Sequence, residues 1–93
     1  MSRLENWSIG FNYISEYQAP ESIVPRIQAI IFEDSRFEDG KNILTSKICY
    51  FNIDERICRT EMGTEYKLGE PELGFIKYLE ENNYSLEQYN IGE

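Results

Sequence analysis

The chain has 93 residues, of which 41% are hydrophobic and 14% aromatic, and it carries 17 acidic against 9 basic residues, for a net charge of -8. This length predicts one domain over residues 1–93 with one modest hydrophobic core, and the composition excludes a disordered chain. The negative field repels phosphate backbones, so we expect no direct binding of nucleic acid; a protein partner with a basic or mixed surface is favoured instead.

Other classes are excluded by what the sequence lacks. No apolar run approaches the length of a membrane helix and the N-terminal residues do not form a signal peptide, so we expect no membrane partner and a cytoplasmic location. The chain has no His and two cysteines, Cys49 and Cys58, which cannot make a standard structural zinc site. We therefore expect no metal and no cofactor, and we interpret both thiols as small buried side chains.

The N-terminal third predicts two strands separated by a loop. Residues 7–13, WSIGFNY, alternate between large apolar and small or polar side chains, which is the period of a half-buried strand. Residues 16–22 predict the loop. The unbroken apolar run Ala29–Phe32 then predicts a strand that is buried on both faces.

The middle of the chain predicts two tight turns. The pair Asp39-Gly40, flanked by apolar runs, is a strong hairpin signal and leads into one long strand over residues 43–53. A second turn at Asp54-Glu55 returns the chain through residues 56–61.

The position of the second turn predicts which residues pair across the two strands that it joins. If it is centred on Asp54-Glu55, Phe51 faces Cys58 and Cys49 faces Thr60. The two thiols would then be neighbours on one face of the sheet, and no disulfide is required.

The C-terminal third predicts a last strand and then helix. Residues 62–64 form a turn and residues 65–68 a short strand, after which Pro71 fits the first position of a helix that ends near Glu81. Residues 85–88 have the spacing of a capping box, which predicts a further helical turn. The residues expected on the buried face of the helix are Phe75, Ile76 and Leu79.

The element order predicts an α+β fold. Four or five antiparallel strands would form a small twisted sheet or a partial β-barrel, and a short C-terminal helix would cover one face or one end.

Enzymatic activity is not expected. The absence of His removes the commonest general base together with the Ser-His and Cys-His pairs. The six glycines form neither a dinucleotide-binding nor a phosphate-binding loop. No carboxylate lies in an apolar sequence context that would raise its pKa.

Two sets of residues are candidates for binding. The first is a protein-binding surface, because acids steer association and exposed tyrosines supply affinity; its residues are Glu38, Asp39, Tyr66 and Tyr84. The second is a shallow groove of polar side chains on neighbouring strands that could take a small ligand; its residues are Thr45, Ser46, Thr60 and Thr64.

The segments RFEDGKNILTSKI and RICRTEMGTEYKLGEP, followed by a short helix, carry a resemblance. Over roughly residues 27–80 the chain resembles short uncharacterised bacterial and phage-borne proteins. In those proteins an apolar strand leads to a DG turn, a TS strand and a T-x-x-G-x-x-Y-x-L-G segment. The resemblance implies a compact β-rich domain and carries no activity with it.

The function expected from the sequence is that of a non-enzymatic acidic protein-binding module. Small acidic inhibitors of the immunity or phage counter-defence type have this composition, and such a protein would act as a monomer or a homodimer. One alternative is an oligomeric domain that binds a small ligand or nucleotide. A second alternative is a structural subunit of a larger assembly.

Overall fold

The computed structural model describes residues 1–10, 17, 19–20 and 25–92. In this part of the chain the strands are β1 (Ser2–Ile9), β2 (Ile27–Phe32), β3 (Lys41–Leu44), β4 (Ile48–Asn52), β5 (Ile57–Thr60) and β6 (Glu65–Leu68). They are followed by the α-helix α1 (Leu73–Asn82) and a 3-10 helix (Leu86–Tyr89).

The six strands form one mixed sheet in the order β3-β2-β1-β6-β5-β4, with β1 and β6 parallel and the other neighbours antiparallel. Residues 45–47 join the two edge strands. The chain from Leu44 to Ile48 reaches at most about 14 Å, whereas the edges of a flat six-stranded sheet would lie about 24 Å apart. The sheet therefore curls until its edges approach, and Ile48 N–H donates to the Pro25 carbonyl at 2.8 Å.

The expected fold class is confirmed, because the chain is a small α+β domain with a curled, open sheet and a C-terminal helix. The sheet differs in having six strands and one parallel pair. The long strand expected over residues 43–53 is two strands at opposite edges, interrupted at residues 45–47. The first strand begins at Ser2 rather than Trp7, and its expected residues 11–13 and most of the expected loop 16–22 lie outside the described residues.

The turns and the register are largely as expected. Lys41–Leu44 pairs with β2 through a hairpin in which Gly40 adopts a φ of 90°. Phe51 pairs with Cys58 across β4 and β5, and residues 65–68 form β6 as expected.

The expected environment of the thiols is wrong for Cys49. A register shift between Ile48 and Tyr50 inserts an irregularity into β4. Cys49 is consequently exposed while Cys58 is buried, so the two free thiols do not share a face. Alternation along an uninterrupted strand could not show this irregularity.

Trp7 connects the sheet to the helix. Its indole Nε1–H donates to the Gly69 carbonyl at 2.9 Å, and its own carbonyl accepts from Glu72 N–H at 2.7 Å. The indole is fully buried, with its ring centre 6.0 Å from that of Phe75. These contacts fix where α1 begins.

The helix begins two residues later than expected. Pro71 makes an isolated parallel bridge with Trp7, and Glu72 rather than Pro71 precedes the first turn. The helix ends at Asn82, and the next residue, Asn83, caps it in a left-handed conformation with a φ of 58°. The expected capping box is confirmed, since Ser85 N–H donates to Gln88 Oε1 at 2.7 Å.

One hydrophobic core lies between the concave face of the sheet and the helices. The expected buried face of α1 is confirmed, with Phe75 and Leu79 buried and Ile76 partly buried against them. The apolar core residues of the described part are Leu4, Trp7, Ile9, Ile27, Ala29, Ile31, Ile43, Ile48, Phe51, Cys58, Tyr66, Leu68, Phe75, Leu79 and Tyr89.

Candidate functional site

Most carboxylates of the acidic hairpin loop between β2 and β3 are bonded to other groups of the protein. Glu33 lies 3.3 Å from the Arg3 guanidinium, and Asp39 Oδ1 accepts from Glu33 N–H at 2.8 Å. Asp34 is also bonded internally. Glu38 is the one acid of this loop whose side chain has neither an ion pair nor a hydrogen bond within the described residues, so Glu38 and Asp39 are both exposed but not equivalent.

A buried carboxylate anchors this loop to the sheet. Asp34 Oδ2 accepts from the Ser2 hydroxyl at 2.6 Å and from the Arg36 guanidinium at 2.8 Å. The bonds from Arg36 first, and from Ser2 second, hold the pKa of Asp34 well below its usual range. The same bond to Asp34 raises the pKa of Arg36.

The guanidinium of Arg36 also reaches Tyr66. It donates to the Tyr66 hydroxyl at 3.1 Å, and Tyr66 is only 4% exposed. The expectation of an exposed ring at Tyr66 is therefore wrong: cross-strand pairing with Cys58 turns this side chain toward the core.

The polar residues of the expected ligand groove do not all face solvent. Thr45 and Thr60 are buried, at 4% and 3% exposure, while Ser46 and Thr64 are partly exposed. The Thr45 hydroxyl accepts from Ile27 N–H at 3.0 Å and donates to the Ser46 carbonyl at 2.8 Å. The Thr60 hydroxyl accepts from Thr64 N–H at 3.3 Å. These hydroxyls satisfy backbone N–H groups inside the fold, so the expectation that Thr45 and Thr60 line an open groove is wrong.

The thiols differ in chemistry as well as position. Burial raises the pKa of Cys58 to about 12, so this thiol stays protonated. Cys49 Sγ–H donates to the Thr60 carbonyl at 3.4 Å.

Three partly buried tyrosines form a row along α1, which we call the tyrosine row: Tyr17, Tyr78 and Tyr84. The ring centres of Tyr17 and Tyr78 lie 5.3 Å apart, and those of Tyr78 and Tyr84 lie 6.0 Å apart. Beneath them, the Phe75 ring lies 5.3 Å from Tyr17 and stacks on Tyr78. The row is therefore partly exposed and packs on one fully buried ring, that of Phe75.

Tyr17 is held at the start of the helix. Its hydroxyl donates to Glu72 Oε1 at 2.5 Å. Burial first, and this bond second, raise the pKa of Tyr17 to about 12. Of this row, the candidate residues named from the sequence include Tyr84 but not Tyr17 or Tyr78. Tyr78 follows Phe75 by three residues, so these two side chains occupy neighbouring positions on a helix.

Three acidic side chains lie at the end of α1 and in the 3-10 helix that follows it. Glu80 and Glu81 lie in the last turn and Glu87 in the 3-10 helix, and all three are exposed. None of them has an ion-pair partner within the described residues, and the last turn of α1 contains no basic residue. We call these three residues the acidic helix end. Glu81 follows Tyr78 by three positions, so it lies next to the tyrosine row.

The acidic helix end opposes local stability. The C-terminus of a helix carries a partial negative charge, and acids there are unfavourable by some tenths of a kcal/mol each, roughly 0.3–1. A local rule broken without compensation is a feature of functional surfaces. The sequence alone does not single out these three acids, because 17 acidic residues are spread over the whole chain.

The described surface offers open depressions rather than a deep cavity. One of them, about 520 Å³, lies on the hairpin loop over residues 36–41. An apolar gap at the open end of the sheet, lined in part by Ile9, Ile27 and Phe51, has about 20 Å³, which is room for a water molecule.

The described residues lack two further features. They contain no group of three or more His, Cys, Asp or Glu side chains placed to hold a metal ion. They also contain no helix that is long and apolar enough to span a membrane.

Comparison of the chain with protein-family models, with curated proteins and with solved structures found no match.

Proposed function

We propose that this chain is a non-enzymatic acidic module that binds a basic or mixed surface on another protein and blocks it, as an inhibitor does. The acidic helix end and the tyrosine row form the contact surface. The proposed compartment is the cytoplasm, whose reducing conditions keep Cys49 and Cys58 as free thiols.

The acids at the end of α1 carry this proposal. Glu80 and Glu81 lower the stability of their own helix, and within the described residues neither has an ion-pair partner. A partner that brings Lys or Arg to this surface would supply the missing charges. The net charge of -8 would steer that partner from a distance.

The tyrosine row supports the proposal through affinity. Tyr residues are enriched among the side chains that dominate interface energetics, because they bury a large apolar area and lose few rotamers. Tyr78 and Tyr84 are already oriented by ring contacts, so little further ordering is needed on binding.

The hairpin loop has a smaller place in the proposed surface. Asp34 and Asp39 are engaged within the loop, and this leaves Glu38 as the acid most available for a partner. Tyr66 is excluded from the contact surface because it is buried.

A pull-down from source-cell lysate tests the proposal, with stepwise elution from low to high salt. Three tagged proteins are compared: wild type, the double variant Glu80→Lys/Glu81→Lys, and the matched control Asp54→Lys/Glu61→Lys. The control makes the same charge change at exposed acids that have no ion-pair partner within the described residues. We expect one stoichiometric protein with wild type and with the control, lost at low salt in the helix variant.

Two results would contradict the proposal. One is the absence of any stoichiometric protein at every salt concentration. The other is equal retention by the two variants, since the acidic helix end would then contribute nothing beyond net charge.

A further inference from the structure

The outward backbone groups at the two edges of the sheet differ in their hydrogen bonding. At β4 the C-terminal Ile91 forms an isolated antiparallel bridge: Phe51 N–H donates to the Ile91 carbonyl at 2.8 Å, and Ile91 N–H donates to the Phe51 carbonyl at 3.0 Å. The Asn90 side chain accepts from Ile53 N–H at 2.9 Å. The outward backbone groups of this edge are therefore largely satisfied.

Within the described residues, the outer side of β3 has no such cover. In the described part of the chain, β3 pairs with β2 alone. Thr45 N–H donates to the Ile27 carbonyl, and antiparallel pairs alternate, so Ile43 is also hydrogen-bonded to β2. The N–H and C=O groups of Asn42 and Leu44 consequently point away from the sheet.

This open edge lies in the least acidic part of the chain. Residues 40–53 form the longest stretch without Asp or Glu, and they include Lys41 and Lys47. In a chain with a net charge of -8, the approach of a second copy is least opposed here.

We propose that the open edge of β3 pairs with β3 of a second copy, which makes a two-fold symmetric dimer with a continuous sheet. A two-fold axis at Ile43 places Asn42 opposite Leu44 of the second copy. Both residues direct their backbone groups outward, so this register forms four backbone hydrogen bonds.

The short length of β3 limits the area that the dimer can bury and therefore its stability. A strand of four residues buries far less than the roughly 1,200–2,000 Å² of a stable interface. The dissociation constant is expected at about 0.5 mM, so dimers form at high protein concentration. Added salt screens the repulsion between two copies and strengthens the dimer, whereas salt weakens the proposed binding of a basic partner. Failure of one proposal is thus distinguishable from failure of the other.

Amide hydrogen exchange followed by NMR tests the pairing residue by residue. The full chain is measured at about 20 µM and about 1 mM, which brackets the expected dissociation constant. We expect exchange at Asn42 and Leu44 to be about two- to threefold slower at the higher concentration, because it occurs from the monomer. Exchange at Ile43 should be the same at both concentrations. Equal rates at Asn42 and Leu44 at the two concentrations would overturn the proposal.

A proline variant provides the second measurement. Asn42→Pro removes one outward N–H, and proline is tolerated on an edge strand where the N–H faces solvent. Asn42→Val keeps the N–H and is the matched control. The concentration dependence at Leu44 should disappear in Asn42→Pro and persist in Asn42→Val, with both spectra showing the native fold. Persistence in both variants would also overturn the pairing.

Discussion

At the scale of single residues, Thr45 shows how a polar side chain can be part of the core. Its hydroxyl satisfies the Ile27 N–H at the point where the chain leaves β3 and crosses to β4. Thr45→Val keeps the shape but leaves that buried N–H without a partner, so we expect the free energy of unfolding to fall by about 1–3 kcal/mol. Urea denaturation measures this change.

The neighbouring serine is the control for that prediction. The bond from Thr45 ends on the Ser46 carbonyl rather than on its side chain, so Ser46→Ala leaves the bond intact. A change within about 0.5 kcal/mol is expected there. Equal effects of the two substitutions would show that Thr45 acts through its position in the crossing rather than through its hydroxyl.

Asp34 predicts a pH dependence of stability. Its pKa is lowered in the folded chain, chiefly by Arg36, so its contribution is present above the unfolded pKa and is lost as the pH falls through the folded value. Wild type should therefore lose stability below about pH 4. Asp34→Asn should reduce the free energy of unfolding at pH 7 by about 1–2 kcal/mol and flatten the acid limb.

Thermal unfolding between acidic and neutral pH measures this difference. Glu38→Gln, in the same loop but without an ion-pair partner in the described residues, is the control and should leave the pH profile nearly unchanged. If Asp34→Asn keeps the full acid dependence of wild type, other carboxylates are responsible for it.

At the scale of elements, the acids at the end of α1 are proposed to bind a partner although they lower the stability of the helix. Glu81 lies at the negative end of the helix dipole, so Glu81→Lys should raise the free energy of unfolding by roughly 0.3–1 kcal/mol. The same substitution at Glu61, in the turn between β5 and β6, should change it by less than about 0.5 kcal/mol. Chemical denaturation of the two variants decides whether the acidic helix end is a local liability, as the proposed binding surface requires.

The elements that the sequence predicted well are those set by local chemistry. Asp39-Gly40 makes the hairpin, the turn at residues 62–64 leads into β6, and the spacing of Phe75 and Leu79 gives the buried face of α1. Each signal is contained within a few neighbouring residues, so no tertiary information was needed.

The elements that it missed depend on distant contacts. The parallel pairing of β1 with β6 joins residues more than sixty positions apart. The interruption at residues 45–47 is required because the sheet curls and its edges are joined there. Asn6, at a φ of 51°, lies within the register shift of β1. Periodicity along one strand contains none of these facts, nor the register shift in β4 that leaves Cys49 exposed.

At the scale of the whole molecule, the distribution of charge predicts separate effects on the two rates of binding. Contacts of the tyrosine row act only at short range, so removing one of its tyrosines should change the dissociation rate rather than the association rate. With the partner isolated, Tyr84→Ala should raise the dissociation rate about tenfold and leave the association rate within about twofold. Tyr66→Phe is the control, because it removes a buried hydroxyl away from the proposed surface. A change confined to the association rate in Tyr84→Ala would contradict this assignment.

Acids act at long range, so the acidic helix end should control association instead. Glu80→Lys/Glu81→Lys changes the net charge from -8 by four units and places cations where a basic partner approaches. We expect the association rate at low salt to fall about tenfold, with the difference shrinking as salt screens charges beyond about 10 Å at 0.1 M. Asp54→Lys/Glu61→Lys changes the net charge equally but should slow association less, because its charges lie away from the contact. Stopped-flow or surface-binding kinetics across ionic strength would separate steering by this surface from steering by net charge. Equal slowing by the two variants would leave net charge alone as the cause.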